Sequence, residues 1–137
     1  MAGSKFNYLE LAALNGALGG SNFTQPGTVY LALYTVAPTS AGGGTEVSGG
    51  SYARVAVVNN STNWPAATGG GPASKSNGAA FTFPTATAAW GTIVAWGLFD
   101  AASAGNGLYW GTLTNSRAVN TSDTPSFAIG TLTITET

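Results

Sequence analysis

Histidine and cysteine are both absent from this chain of 137 residues. Their absence excludes disulfides, thiolate chemistry, zinc sites of the usual Cys/His kind and any Ser-His-Asp or Cys-His nucleophile. Charge is nearly as scarce. Four Lys and Arg oppose five Asp and Glu, so charged residues make up 7% of the chain and the net charge is −1, against about 25% charged in a typical domain. Four scattered cations cannot neutralise a phosphate backbone, which argues against nucleic acid as a partner. Long hydrophobic runs are missing too. Nothing approaches the roughly 18 apolar residues that span a bilayer, and Glu10 and Asn15 interrupt the stretch after Lys5, so neither a membrane span nor a signal peptide is expected.

Glycine and apolar residues are what the chain has instead, with 20 glycines and 44% hydrophobic residues. The length suits one domain, 1–137, with its own core. One helix is predicted over residues 6–18. Ser4 would be its N-cap, Leu11, Leu14 and Leu18 recur at i, i+3 and i+7, and Gly19-Gly20 would end it. Leu9, Ala13 and Ala17 widen the stripe, so this helix either covers a sheet or docks as an arm on a neighbouring subunit.

The rest reads as strands and loops. Alternation predicts strands over 29–34, 52–58 and 81–83, the last stopped by Pro84. Residues 92–99 are apolar on both faces, as a central strand is. Asn106-Gly107 suggests a type I′ turn leading into an antiparallel return over 108–113. A short strand over 117–119 and a last one over 126–135 follow, and Gly130 would form a bulge where the apolar parity switches. Short strands at regular spacing with one helix predict a mainly β fold, an antiparallel β-sandwich or jelly-roll-like domain. Two glycine-rich loops, about 39–50 and 59–78, are long enough to suggest a function of their own.

Chemistry is thin. Glu10, Glu46, Asp100, Asp123 and Glu136 fall on separate elements, so no carboxylate pair is indicated and no enzyme is expected. The triple-glycine runs lack a Lys-Ser/Thr pair and do not open helices, so they are not phosphate cradles. No metal, cofactor or catalytic residue is expected. Trp96 and Trp110 sit within apolar strands and read as core. Trp90 precedes a strand, and Trp64, in Asn63-Trp64-Pro65, reads as an exposed loop residue able to touch a partner or stack on a sugar. Arg54 lies mid-strand among apolar residues and needs a counter-ion, for which Asp100 and Asp123 are the candidates.

Several segments, in their order, resemble a known family. They are Asn7-Tyr8-Leu9, Val29-Tyr30-Leu31-Ala32-Leu33-Tyr34-Thr35, Phe81-Thr82-Phe83-Pro84, Trp90-Gly91-Thr92-Ile93 and Asp123-Thr124-Pro125-Ser126-Phe127. The most specific are Glu46-Val47-Ser48-Gly49-Gly50-Ser51-Tyr52-Ala53-Arg54 and Gly97-Leu98-Phe99-Asp100-Ala101. Together they resemble the small virion proteins of tailed bacteriophages often labelled tail fibre proteins, some of which are capsid decoration or cement proteins. The loop over 59–78 matches nothing in that pattern. The resemblance implies a structural protein made in the bacterial cytoplasm and located on the virion. As a decoration protein it would stabilise a shell of major capsid protein; as a tail or tail-fibre component it would contact tail proteins. A receptor- or glycan-binding module is a further alternative. A dimer or trimer is expected, with partner contacts at Lys5, Phe6, Tyr8 and Trp64.

Overall fold

The computed structural model describes residues 3–136. The protein is mainly β, with antiparallel sheets, one helix and a sandwich-like arrangement. In chain order the elements are β1 (Gly3–Lys5), α1 (Asn7–Ala17), β2 (Thr28–Val36), β3 (Thr45–Glu46), β4 (Val55–Val58), β5 (Ala73–Ser76), β6 (Phe81–Thr82), β7 (Gly91–Phe99), β8 (Gly107–Val119), β9 (Ser126–Phe127) and β10 (Thr133–Glu136). The main sheet runs β1-β8-β7-β2-β3, with β4 also pairing β2. Two ribbons, β5-β10 and β6-β9, complete the strands.

The centre of the sheet follows from sequence. β2 and β7 are apolar on both faces, and both are covered on both faces. Leu31 pairs with Leu98 and Leu33 with Trp96, and these four side chains enter the main core with Phe81, Phe83, Leu132 and Ile134 from the ribbon side. On the opposite face Ala32, Tyr34, Ala95 and Phe99 form a smaller cluster with Phe6. Trp96 has no exposed surface, as its place in an apolar strand implies, and Trp110 packs at the edge of the smaller cluster.

Several boundaries differ from those the sequence suggested, each for a physical reason. Ser4 is not a helix cap. It belongs to β1, opposite Trp110, and α1 starts behind Phe6 without a side-chain cap. The strand expected over 52–58 shortens to β4, because positive φ at Gly49, Gly50 and Ser51 turns the chain just before Tyr52. Asn106-Gly107 is not the hairpin turn. The loop spans 100–106, its left-handed residues are Ala104 and Gly105, and Asn106 is tied back to Asp100. Gly107 serves another purpose: a Cβ there would lie 2.4 Å from the Phe6 ring. The expected strands at 108–113 and 117–119 are one, β8, broken only by a register shift opposite Ile93 and Ala95.

At the C-terminal end the predicted bulge is a complete break. β9 and β10 belong to different ribbons, and Gly130, at φ +78°, lies in the turn between them. The residue that makes this turn is Asn77, a side chain only 2% exposed. Its Nδ2 donates to the carbonyls of Ala79 (2.7 Å) and Ala128 (3.0 Å), while its Oδ1 accepts the Leu132 N–H (2.9 Å). The 59–78 loop is therefore not free. It carries β5, which pairs with β10 from Ser76↔Thr133 to Ala73↔Glu136.

Candidate contact surfaces and the ionic hub

The expected contact residues scatter once the chain folds. Lys5 forms an ion pair with Glu136, whose other carboxylate oxygen accepts the Tyr109 hydroxyl at 3.2 Å. Burial and that neighbouring carboxylate push the Tyr109 hydroxyl up to about 12. Phe6 is 5% exposed and packs against Phe99 with ring centroids 5.6 Å apart. Trp64 is 6% exposed, so the expectation of an exposed loop tryptophan is overturned. A helical turn capped by Asn60 swings it inward onto Phe81, 5.2 Å away between centroids. The sugar-stacking platform it would have supplied is gone with it. Tyr8 alone of the four reaches solvent substantially.

The larger ionic cluster lies elsewhere, and it joins the two most family-like stretches. β3 and β4 pair with different parts of β2, leaving Ala32 and Leu33 between them. The connecting segment fills that gap: Val47 N–H donates to Leu33 O, and Leu33 N–H donates to the Tyr52 hydroxyl at 3.0 Å. The same hydroxyl donates to Glu46 Oε2 at 2.7 Å. Arg54 grips Glu46 with both ends of its fork, Nε to Oε2 at 2.9 Å and Nη2 to Oε1 at 2.8 Å. Its Nη1 donates to the carbonyls of Ala101 (2.8 Å) and Ala104 (3.0 Å), and the guanidinium lies 4.0 Å over the Phe99 ring.

Glu46, not Asp100 or Asp123, is thus the counter-ion of Arg54. The two aspartates are engaged in their own turns, Asp100 with Asn106 and Asp123 with the Asn120 N–H. The electrostatics follow from the geometry. Burial pushes the Glu46 carboxyl up, but the hydrogen bonds from Arg54 and Tyr52 and the guanidinium charge outweigh it and hold the group below its ordinary range. Burial and the Glu46 carboxylate raise the Tyr52 hydroxyl far above its usual value. An arginine is required here because only a planar fork satisfies a carboxylate and two carbonyls together. Gly50 completes the hub with φ +57°, its carbonyl accepting both the Trp90 indole N–H and the Thr87 N–H.

Two of the outward surfaces are apolar enough to matter here. A groove of about 640 Å³ runs between the far half of β8 and residues 123–131, floored by Phe83, Ile93 and Phe127. Arg117 lines it, exposed, with no ion pair among the described residues. The second surface is α1, which buries only Leu9 and leaves Leu11 and Leu14 in solvent, with Leu18, the residue that ends it, also exposed. The helix was the sequence's clearest amphipathic element, yet the stripe read as its inner face points outward. No signal in the chain's periodicity separates one stripe from the other.

The fold and the hub define a small β-domain whose ions hold one strand connection to the next and whose outer faces are left charge-poor. The chain belongs to the family described as Podophage GP4 fiber I protein gp80, whose model matches residues 4–135. That membership makes it a structural protein of a tailed phage. No curated protein matches the sequence.

Proposed function

We propose that this chain is a non-enzymatic virion subunit that works by burying surface against its neighbours, and that it sits on the capsid as a decoration protein bound to the major capsid protein. It acts as a dimer or trimer. The observation that carries this reading is the disposition of its charges. The chain has only four Lys and Arg and five Asp and Glu, and Lys5, Glu46, Arg54, Asp100, Asp123 and Glu136 are tied to partners within the fold, so the exterior is poor in charge and few charges are left without a partner in the fold. A charge-poor exterior that also shows leucines suits a face that is covered on assembly.

A second placement, as a tail fibre component, is favoured by the family description itself. Both placements give the chain the same kind of work and differ in site and number. Cryo-electron microscopy of intact particles separates them. Density for this chain repeated over the shell in many copies is the result expected of a decoration protein. Density confined to the tail, in few copies, overturns that placement in favour of the fibre.

A further inference from the structure

The main sheet is left open at the groove beside β8. β1 pairs with β8 only at Tyr109, Trp110 and Gly111, so beyond that point β8 is an edge strand among the described residues. There it also parts from its inner neighbour. Between the pairs Ala95↔Thr112 and Ile93↔Arg117, β7 uses one residue, Val94, and β8 uses four, 113–116. A bulge of that size takes main-chain N–H and C=O groups out of the ladder, and residues 114–118 stand exposed. Across the groove, β9 pairs with β6 along one edge and with no described strand along the other. Two strands, each with an unpaired edge, thus line one groove of about 640 Å³.

The side chains give the groove a sign. Arg117 pairs with Ile93, a core residue, and cross-strand partners share a face. It therefore stands on the inner side of the sheet, yet it is exposed. Of the chain's four cations, Lys5 and Arg54 hold carboxylates and Lys75 donates to the Trp64 carbonyl. Arg117 has no partner among the described residues. Asp123 lines the groove too, but it is not paired with Arg117 and accepts the Asn120 N–H of its own turn.

We propose that this groove receives an extended segment of a neighbouring virion protein, added as a strand along β8 and carrying an Asp or Glu for Arg117. Unpaired main-chain groups select a main chain, an unpaired guanidinium selects a carboxylate, and the floor of Phe83, Ile93 and Phe127 selects an apolar side chain. Acid and apolar residue must share a face of the added strand, so they stand two positions apart. Sheet edges recognise peptides in this way, with ladder bonds giving affinity and alternate side chains giving specificity. The proposal deepens the reading of this chain as a subunit that covers its neighbours, and it rests on that reading for the source of the segment. Capsid and tail placements both supply such a neighbour.

The test uses no particle, so it succeeds or fails apart from the placement on the virion. A library of random linear eight-residue peptides is selected on the full-length protein, and the enriched peptides are synthesised and titrated by fluorescence polarisation. They are compared on the parent, on Arg117→Gln, on Ala128→Trp, which fills the groove from its exposed rim, and on Lys75→Gln, a cation outside the groove. Melting curves establish that each variant is folded. The expected peptides carry Asp or Glu two positions from an apolar residue. Arg117→Gln should weaken them about tenfold, the worth of a charge-assisted hydrogen bond, and Lys75→Gln should change nothing. Replacing the peptide's acid by its amide should cost the same factor on the parent and nothing on Arg117→Gln. Ala128→Trp should abolish binding, as should N-methylation of alternate peptide amides in one of the two registers. A selection that yields no peptide sensitive to Ala128→Trp overturns the proposal. So do peptides that bind Arg117→Gln as well as the parent, or that tolerate N-methylation in both registers. Enriched sequences that reproduce a stretch of this chain give the groove to a second copy, and the proposal is then wrong.

Discussion

Two corners of this molecule solve the same problem with opposite chemistry. At one, Arg54, Glu46 and Tyr52 bind the β3–β4 connection to the β7–β8 loop through an ion pair and a phenol. At the other, a single neutral amide, Asn77, binds the β9–β10 turn to the loop after β5. Each corner fixes a crossing between segments distant in sequence, and each satisfies backbone groups that no strand reaches. The difference is where each sits and what it costs to form. Arg54 draws together two carbonyls of the β7–β8 loop and the Glu46 carboxylate of β3, which takes several donors in one plane. Asn77 needs only two donors and one acceptor in a nearly dry site, where a charge would be penalised heavily. The ionic corner is the one that carries the family-like motif, and the neutral corner lies in the stretch that matches no motif.

The comparison can be broken by mutation, and the largest effect is expected at the ionic corner. Arg54→Ala leaves Glu46 unpaired and two carbonyls without donors. It should cost about 3 kcal/mol, the low end for a half-solvated partner of a buried pair, measured by urea unfolding. Arg54→Lys should recover only a minor part of this, since a point charge cannot hold both carboxylate oxygens. Asn77→Ala should follow at about 2 kcal/mol, because the Leu132 N–H loses its acceptor in the interior. If Asn77→Ala proves more damaging than Arg54→Ala, the ionic corner is dispensable and the amide is the principal fastening.

Tyr52→Phe is expected next, at about 1–2 kcal/mol, since it strips the Leu33 N–H of its acceptor but keeps the aromatic packing against Trp90 and Phe83. Acid sharpens the contrast further. Glu46 is held below its ordinary value of 4.5 in the fold and returns to it on unfolding. Its stabilising contribution is thus complete above that value and is lost as pH falls through the lower, folded one. A pH series of unfolding curves should show this loss in the parent and in Asn77→Ala, and a flatter profile in Glu46→Gln. The smallest effect is expected at Leu11→Ala, within about 0.5 kcal/mol for the isolated chain, because the side chain stands in solvent.

What could be read from sequence follows the same division between local and distant. β2 and β7 were legible because their apolar residues fill both faces, a pattern that needs no knowledge of neighbours. Arg54 announced its need for a counter-ion, and Glu46 stood only eight residues before it. The acids further along drew attention because nothing local says that the chain doubles back at Gly49 and Gly50. Asn77 gave no signal, since a buried amide in a polar loop looks like any turn residue until β5 pairs with β10. Trp64 went inward for the same reason: its environment is made by Phe81, on a strand not yet placed. The glycine of Asn106-Gly107 misled in a different way, because its missing side chain makes room for Phe6, not for a turn.

The meeting of Lys5, Tyr109 and Glu136 brings β1 and β10 to one place on the molecule. Residues 5 and 136, nearly the whole chain apart in sequence, lie within reach of a single side-chain contact. A short flexible bridge from residue 136 to residue 3 would therefore join these two strands without disturbing either, and the chain could be opened instead in the exposed 39–44 loop. Such a permuted domain would retain the ionic and the amide corners while making β10 and β1 consecutive in sequence. The connectivity of this domain is, in that sense, separable from its packing.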